Sequence, residues 1–328
     1  MDKEVQGEQY LKDIECPVTN CIFSHNRKYL SSVADYDAVV FHVAEPFDVR
    51  DVPKIRKENQ IYIMANQESP VHTAHNLNQN KNFFNMTFTY RLDSDILFPY
   101  ATIADIKSGA VVAPSRKAIW RVPEVVTDPE ILNLVKSKSK FAAWFVSRCK
   151  SFSKRELLAE QLQEFIDVDI YGKCGTLSCP RENKEKCTDM LNSTYKFYLS
   201  FENSICTDYM TEKVFLNMDN FIVPILYNGI TDMQHFLPPH SYIHVNDSSS
   251  VEDLVNYLKY LDKNPQEYAN YFWWKKYYKI NNNPYPNSYC NICLKINEWD
   301  SMTVRQQYLD VSKWYNHKTC RNKSSFFQ

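Results

Sequence analysis

YKFYLSFENSICTDYMTEK, residues 195–213, begins as an apolar run and ends as a dense group of polar side chains. Tyr195–Phe201 has the length and aromatic content of a buried strand. Glu202, Asn203, Ser204, Cys206, Asp208, Tyr209, Glu212 and Lys213 follow at once. A helical pattern opens near Thr211 and runs through TEKVFLNMDN (211–220), and FIVPILYN (221–228) reads as another strand. Strands alternating with helices imply a parallel sheet covered on both faces. Ligands of such sheets bind beyond the C-terminal ends of the strands, and the polar cluster lies at such an end.

The alternation continues on both sides. FAAWFVS (141–147) is a strand, and FSKRELLAEQLQEF (152–165) a helix with Ser153 as N-cap and Glu156 as the reciprocal residue of a capping box. VDIYGK (168–173) and SYIHVND (241–247) are strands, and VEDLVNYLKYLDK (251–263) is an amphipathic helix. Nearer the N-terminus, DAVVFHV (37–43), IYIMAN (61–66) and FFNMTFTY (83–90) are strands, and the chain from 264 onward reads as mostly helical. A length of 328 residues suits two domains. The expected architecture is α/β with two Rossmann-like domains facing across a cleft, residues 1–135 and 136–328, the C-terminal helices packing back on the first.

Hydrophobic residues make up 44% and charged residues 23%, ordinary for a globular protein. The formal charge of −1 gives no overall pull toward nucleic acid or an anionic membrane. KSKSK (136–140) is the concentrated basic stretch and reads as a solvated linker. No run of about 18 apolar residues is present to span a membrane, and no signal-peptide core is visible. The ten cysteines suit either disulfides or zinc; CNIC (290–293) has metal-ligand spacing, but no second CxxC stands at zinc-ribbon distance. Four sequons, at Asn85, Asn192, Asn246 and Asn322, taken with the cysteines favour the secretory pathway and disulfides. A membrane anchor is expected before residue 1.

With five glycines and neither GxGxxG nor a Walker loop, a dinucleotide cofactor held in the usual way is not expected. A diphosphate has to be met by side-chain cations and a helix N-terminus. Lys213, in the first turn of the helix near Thr211, and Arg155, opening the helix after 141–147, both lie at strand C-terminal ends and are expected to converge on one pyrophosphate. The plainer readings are a surface pair between Lys213 and Glu212 or Asp208, a solvated Arg155, and Glu202 and Asn203 as strand-end caps. Cys206 reads equally as half of a disulfide.

YKFYLSFENSICTDYMTEKVF (195–215) closely resembles the signature of the α1,3-fucosyltransferases, glycosyltransferase family ten. So do QESPVHT (67–73), FNMTFTYRLDSDILFPY (84–100), AAWFVSRCKSFSKRELL (142–158) and VDIYGKCG (168–175), in the same order. The CGTLSCPR…KC loop and the cysteine within FENSIC look more like invertebrate members. The resemblance implies transfer of L-fucose from GDP-β-L-fucose to the 3-hydroxyl of a GlcNAc residue, with inversion, on a GT-B fold. Carried over by motif, Glu68 matches the general base. Arg155, Tyr209, Glu212 and Lys213 match donor-binding residues, with Glu202, Asn203 and Ser204 in the same signature. Arg148 stands where many members have asparagine, as a further phosphate cation or a weakening of the site. No metal is required; Asp93-Ser94-Asp95 has DxD spacing but lies in the acceptor-domain segment, and Mn2+ is at most a stimulant. The resemblance also implies that the CNIC cysteines tie to the Cys16/Cys21 region. The expected setting is the Golgi lumen, with a type II anchor. Two rivals stand beside this reading: a transferase using another nucleotide sugar, and a secreted carbohydrate-binding protein on a decayed scaffold.

Overall fold

The computed structural model describes residues 5–44, 52–73, 77, 81–122, 128–301 and 307–321. The chain forms two compact units, one running to Tyr100 and adding Asn283–Thr319, the other Ala101–Asn282 with the chain from Cys320.

The first unit is built on a parallel sheet, β1 (Ala38–His42), β2 (Ile61–Asn66), β3 (Met86–Thr89) and β4 (Ile96–Leu97), in that order. All six residues of β2 are buried, as befits a central strand covered on both faces. Ile61, Ile63, Met86, Phe88 and Ile96 pack against Ile292 and Trp299 of the helix Tyr285–Ser301. Two disulfides, Cys16–Cys290 and Cys21–Cys293, join this helix to the N-terminal segment. CNIC is therefore a covalent clamp.

The second unit contains β5 (Lys140–Phe145), β6 (Val168–Tyr171), β7 (Tyr195–Phe201), β8 (Val223–Tyr227) and β9 (Ile243–His244), all parallel, in the order β6-β5-β7-β8-β9. Its helices include α1 (Arg155–Gln163), α2 (Lys184–Thr194), α3 (Glu212–Met218) and α4 (Val251–Lys263). Phe197, Leu199 and Phe201 of β7 pack with Leu158 and Leu162 of α1 and Leu254 and Leu258 of α4. Tyr198 joins Leu191 of α2 and Ile222 in a second cluster. Helices thus cover both faces, and β7 reads as continuous hydrophobicity for that reason.

Several segments differ from the sequence reading. Tyr278–Asn281 is a strand, not helix, paired antiparallel with Thr102–Asp105, which also pairs with Val111–Ala113. That pairing places residues 102–113 in the second unit. Within KSKSK, Lys138 is buried, donating to the Asn192 and Tyr195 carbonyls, and Lys140 opens β5 in an ion pair with Asp169. The stretch is a structural joint between α2 and β5 and not a solvated linker.

The sequons also separate. Asn85 is buried; its side-chain oxygen accepts from the Tyr62 amide at 2.8 Å and from Arg56, so a glycan there is incompatible with the fold. Asn192 is half-buried, its side-chain oxygen accepting from the Phe221 amide at 2.8 Å. Asn246 is exposed, and Asn322 lies outside the described residues. Peptide mapping of protein made in a secretory host is expected to find Asn246 glycosylated and Asn85 bare; an occupied Asn85 in folded protein would contradict this packing.

Candidate active site

The strand order of the second unit reverses between β5 and β7, which are neighbours in the sheet but are followed by connections running to opposite sides. A crevice at such a switch point, beyond the strand C-termini, is where doubly wound sheets bind ligands. The residues leaving β5 are Val146, Ser147 and Arg148; those leaving β7 are Glu202, Asn203 and Ser204. Gly172, just after β6, has φ +97°, and a Cβ there would lie 2.7 Å from the Val146 carbonyl oxygen, so glycine is needed at this close approach. Cys149–Cys174 joins the two loops covalently.

Lys154, at φ 58°, turns the chain sharply before α1 and delivers Arg155 into the interior. Arg155 is 5% exposed. One guanidinium nitrogen donates to the Phe201 carbonyl at 2.7 Å, another to the Arg148 carbonyl at 3.4 Å, and Nε is buried without a partner. Burial holds its pKa below the usual guanidinium value, opposed by the Glu202 and Glu156 charges. Arg155 is therefore not a solvated helix arginine.

Ser153 is not the N-cap of this helix. Its hydroxyl donates to the Glu202 carbonyl at 2.7 Å and its amide to the Asn203 carbonyl at 3.0 Å, while Tyr227 donates to the Ser153 carbonyl at 2.9 Å. These bonds tie the loop after β5 to the end of β7. Glu156 instead accepts from the amide and hydroxyl of Ser151, at 3.2 and 2.9 Å.

Glu202 is fully buried. The Thr211 amide and hydroxyl both donate to Oε1 at 2.8 Å, and Lys213 Nζ lies 3.1 Å from Oε2 and 2.7 Å from the Thr211 hydroxyl oxygen. Glu212, half exposed, is 3.6 Å from the same ammonium. Burial disfavours charge on Lys213, but the two carboxylates outweigh it and hold its pKa above the ordinary lysine value. The expected convergence of Lys213 on a phosphate is thus modified: a protein carboxylate already sits on one side of the ammonium, and the Thr211 amide at the start of α3 is answered by the same group.

Tyr209 and Ser204 are buried in the loop between β7 and α3. Asn203 is half-buried with its side-chain oxygen buried and unpartnered, and Arg148 is exposed. Cys206 is joined to Cys320, and Ile205–Cys206 pairs with Cys320–Arg321, so the C-terminal segment clamps this loop. A Cβ on Gly229 would lie 2.6 Å from the Cys206 carbonyl oxygen, pressing the same loop from the end of β8. Sequence reasoning gave Ser153 a capping role and Thr211 a helix start, where the structure has them hold the end of β7, and it did not pair Cys320.

Glu68 belongs to the first unit, two residues after β2, and is half-buried. Its amide donates to the Asn66 side chain at 3.0 Å, and Tyr315 donates to its carbonyl. Tyr100 donates to the Gln67 carbonyl at 2.7 Å, and Ser69 is fully buried. The backbone of this loop is fixed on both sides. The two acids of the DxD spacing hold structure together. Asp93 makes a bidentate pair with Arg91 at 2.8 and 2.7 Å, and Asp95 accepts from Thr87 and Tyr308. Among the described residues no group of three His, Cys, Asp or Glu side chains is placed to hold a metal ion.

Residues 135–314 match the family model described as glycosyltransferase family 10 (fucosyltransferase) C-term, and residues 3–101 match fucosyltransferase, N-terminal. The chain is 44% identical over 321 residues to alpha-(1,3)-fucosyltransferase C of Drosophila melanogaster, covering 97% of this chain and 74% of that protein. It is 33% identical to glycoprotein 3-alpha-L-fucosyltransferase A of the same organism, covering 94% of this chain and 57% of the relative. A crystal structure of an alpha1,3-fucosyltransferase with GDP-fucose superposes with a TM-score of 0.51 at 18% identity, covering 76% of this chain and 78% of that one. The fold is that of a GT-B-type glycosyltransferase. More narrowly, the chain belongs to glycosyltransferase family 10, the fucosyltransferases.

Removing one partner of a buried pair strands the other charge. Lys213→Met is expected to destabilise the second unit by about 3–5 kcal/mol, and adding Glu202→Gln to recover part of it, read from urea unfolding. Because the Lys213 pKa is raised on folding, its contribution is fully present below the unfolded lysine pKa and is lost as pH rises through the folded one. The wild-type advantage over the double variant should therefore shrink only in alkaline solution. Equal stability of single and double variants would show that Glu202 does not depend on Lys213.

Proposed function

We propose that this chain is an inverting α1,3-fucosyltransferase, moving L-fucose from GDP-β-L-fucose to the 3-hydroxyl of a GlcNAc residue on a glycan. The observation that carries the reading is the set of Arg155, Asn203, Glu202 and Lys213 at the switch point of the second unit, in a chain whose relatives are named as α1,3-fucosyltransferases. The first unit serves the acceptor; the second, which takes in the chain from Ala101, serves the donor.

Charge arithmetic refines the donor side. Glu202 and Glu212 already balance Lys213 and one further cation. With Arg155 as that further cation, the net positive charge offered to a diphosphate comes from Arg148, so arginine at 148 strengthens the site. Departure of GDP builds negative charge on the β-phosphate, and fixed cations stabilise it without reorganising. Tyr209 and Ser204 shape the loop that carries this set, and Glu212 orients a donor hydroxyl. Glu68 takes the proton of the acceptor hydroxyl as that oxygen bonds to C1 of fucose. The C1–O bond to the β-phosphate breaks, its electron pair leaves with GDP, and the β-linked donor gives an α-linked product. We assign no metal to these steps, since Asp93 and Asp95 are engaged elsewhere, and Mn2+ is at most a stimulant. The disulfides and the exposed sequon fit action in the Golgi lumen.

A panel of nucleotide sugars and GlcNAc-terminated, LacNAc and LacdiNAc acceptors, with the product linkage read by NMR, tests the assignment; transfer from another donor alone would replace it. Glu68→Gln keeps the loop and removes proton acceptance. Turnover at saturating acceptor is expected to fall at least about 10²-fold, with GDP affinity unchanged. Near-normal turnover would remove Glu68 from the role.

A further inference from the structure

A cavity of about 440 Å³ opens in the second unit beside β9. β9 is an edge strand, and β7 and β8 lie between it and β5, so the cavity is separate from the switch-point crevice. Its volume is within the range of small-ligand sites.

The walls are aromatic. Tyr257 and Tyr271 are joined hydroxyl to hydroxyl at 2.6 Å, and the His240 ring stacks on Tyr271 with centroids 4.1 Å apart at 29°. His240 is held at φ 54°, the left-handed region, which a non-glycine residue adopts at a cost. Tyr242 adds a third phenol. At the base, His244 is 4% exposed; its Nδ1 accepts from the Asn246 amide at 3.1 Å, which leaves the proton on Nε2, 3.2 Å from the Asn228 side-chain oxygen. The imidazole is therefore neutral, and burial lowers its pKa against the opposing Asp247 charge. Asp247 and Asp253 supply carboxylates, and among the described residues no lysine or arginine lines the cavity.

Aromatic faces accept the C–H face of a pyranose, and carboxylates accept its hydroxyls. An anionic sugar or a nucleotide would instead meet two carboxylates, of which Asp253 also accepts from the amide and hydroxyl of Ser249 at 3.0 and 3.1 Å. The sequence adds a second, independent pointer. Asp247 and Ser248, which line the cavity, are the second and third residues of the exposed sequon Asn246-Asp247-Ser248. A sugar joined to Asn246 starts at the rim.

We propose that this cavity binds a neutral pyranose of the N-acetylglucosamine kind, supplied by the first sugars of a glycan on Asn246 or by a glycan from solution. The proposal is independent of the assignment of the switch-point crevice.

The probe is N,N′-diacetylchitobiose, followed by saturation-transfer NMR against full-length protein made in a secretory host. Asn246→Gln protein, which has no glycan at the rim, is expected to bind it with a Kd on the order of millimolar. Adding Tyr257→Ala should weaken binding about tenfold, with GDP affinity unchanged as the control for folding. If Tyr257→Ala does not fold, Asp247→Ala, which removes the surface carboxylate and creates no new sequon, is expected to weaken binding severalfold. Wild-type protein that ignores the probe, beside Asn246→Gln protein that binds it, identifies the chain's own glycan as occupant; equal binding identifies a glycan from solution. Absence of transfer to the Asn246→Gln protein at tens of millimolar probe, or transfer undiminished by both cavity variants, overturns the proposal.

Discussion

A carboxylate with no solvent exposure governs the second unit. Glu202 sits at the end of β7, and burying its charge is costly unless hydrogen bonds and an opposite charge answer it. Thr211 and Lys213 answer it from the start of α3, nine and eleven residues on. That requirement fixes the end of the strand against the start of the helix, and the intervening loop with Asn203, Ser204 and Tyr209 has little freedom left. Cys206–Cys320 and the close approach of Gly229 constrain the same loop from two other directions. Ser153 reaches it from the β5 side.

Preorganisation follows. Interactions that stabilise a transition state act best when their dipoles and charges need not move at the moment of reaction. In this crevice Lys213 is held by Glu202, and Arg155 is held by the Phe201 carbonyl. Both cations retain unmet capacity: the ammonium remains partly exposed and the guanidinium has a buried Nε without a partner. In the first unit the loop bearing Glu68 is fixed through its backbone by Asn66 and Tyr315.

Much of this was legible in the sequence because it depends on periodicity and on strand ends. β2 and α4 have the bounds their patterns suggest, and β7 was clear from its unbroken apolar run. The rule that ligands bind beyond strand C-termini directed attention to Lys213 and Arg155, which do lie at the ends of β7 and β5. What sequence could not convey was direction. Glu202 has the same local context whether it caps a strand in water or turns inward to Thr211, and Ser153 carries an ordinary capping-box pattern while its hydroxyl serves another strand. Lys138 in a run of lysines gives no sign that two backbone carbonyls draw it inside. Tyr278–Asn281 was missed because its alternation is brief and its partner lies over 170 residues earlier. Cys206–Cys320 was beyond reach, since ten cysteines allow many pairings.

The central claim is that the switch point between β5 and β7 is the nucleotide site. Hydrogen–deuterium exchange of the intact protein with and without saturating GDP addresses it directly. Protection concentrated in residues 146–155 and 202–213 is the result this account predicts. Protection centred on residues 240–257, with 146–155 and 202–213 unchanged, would contradict it.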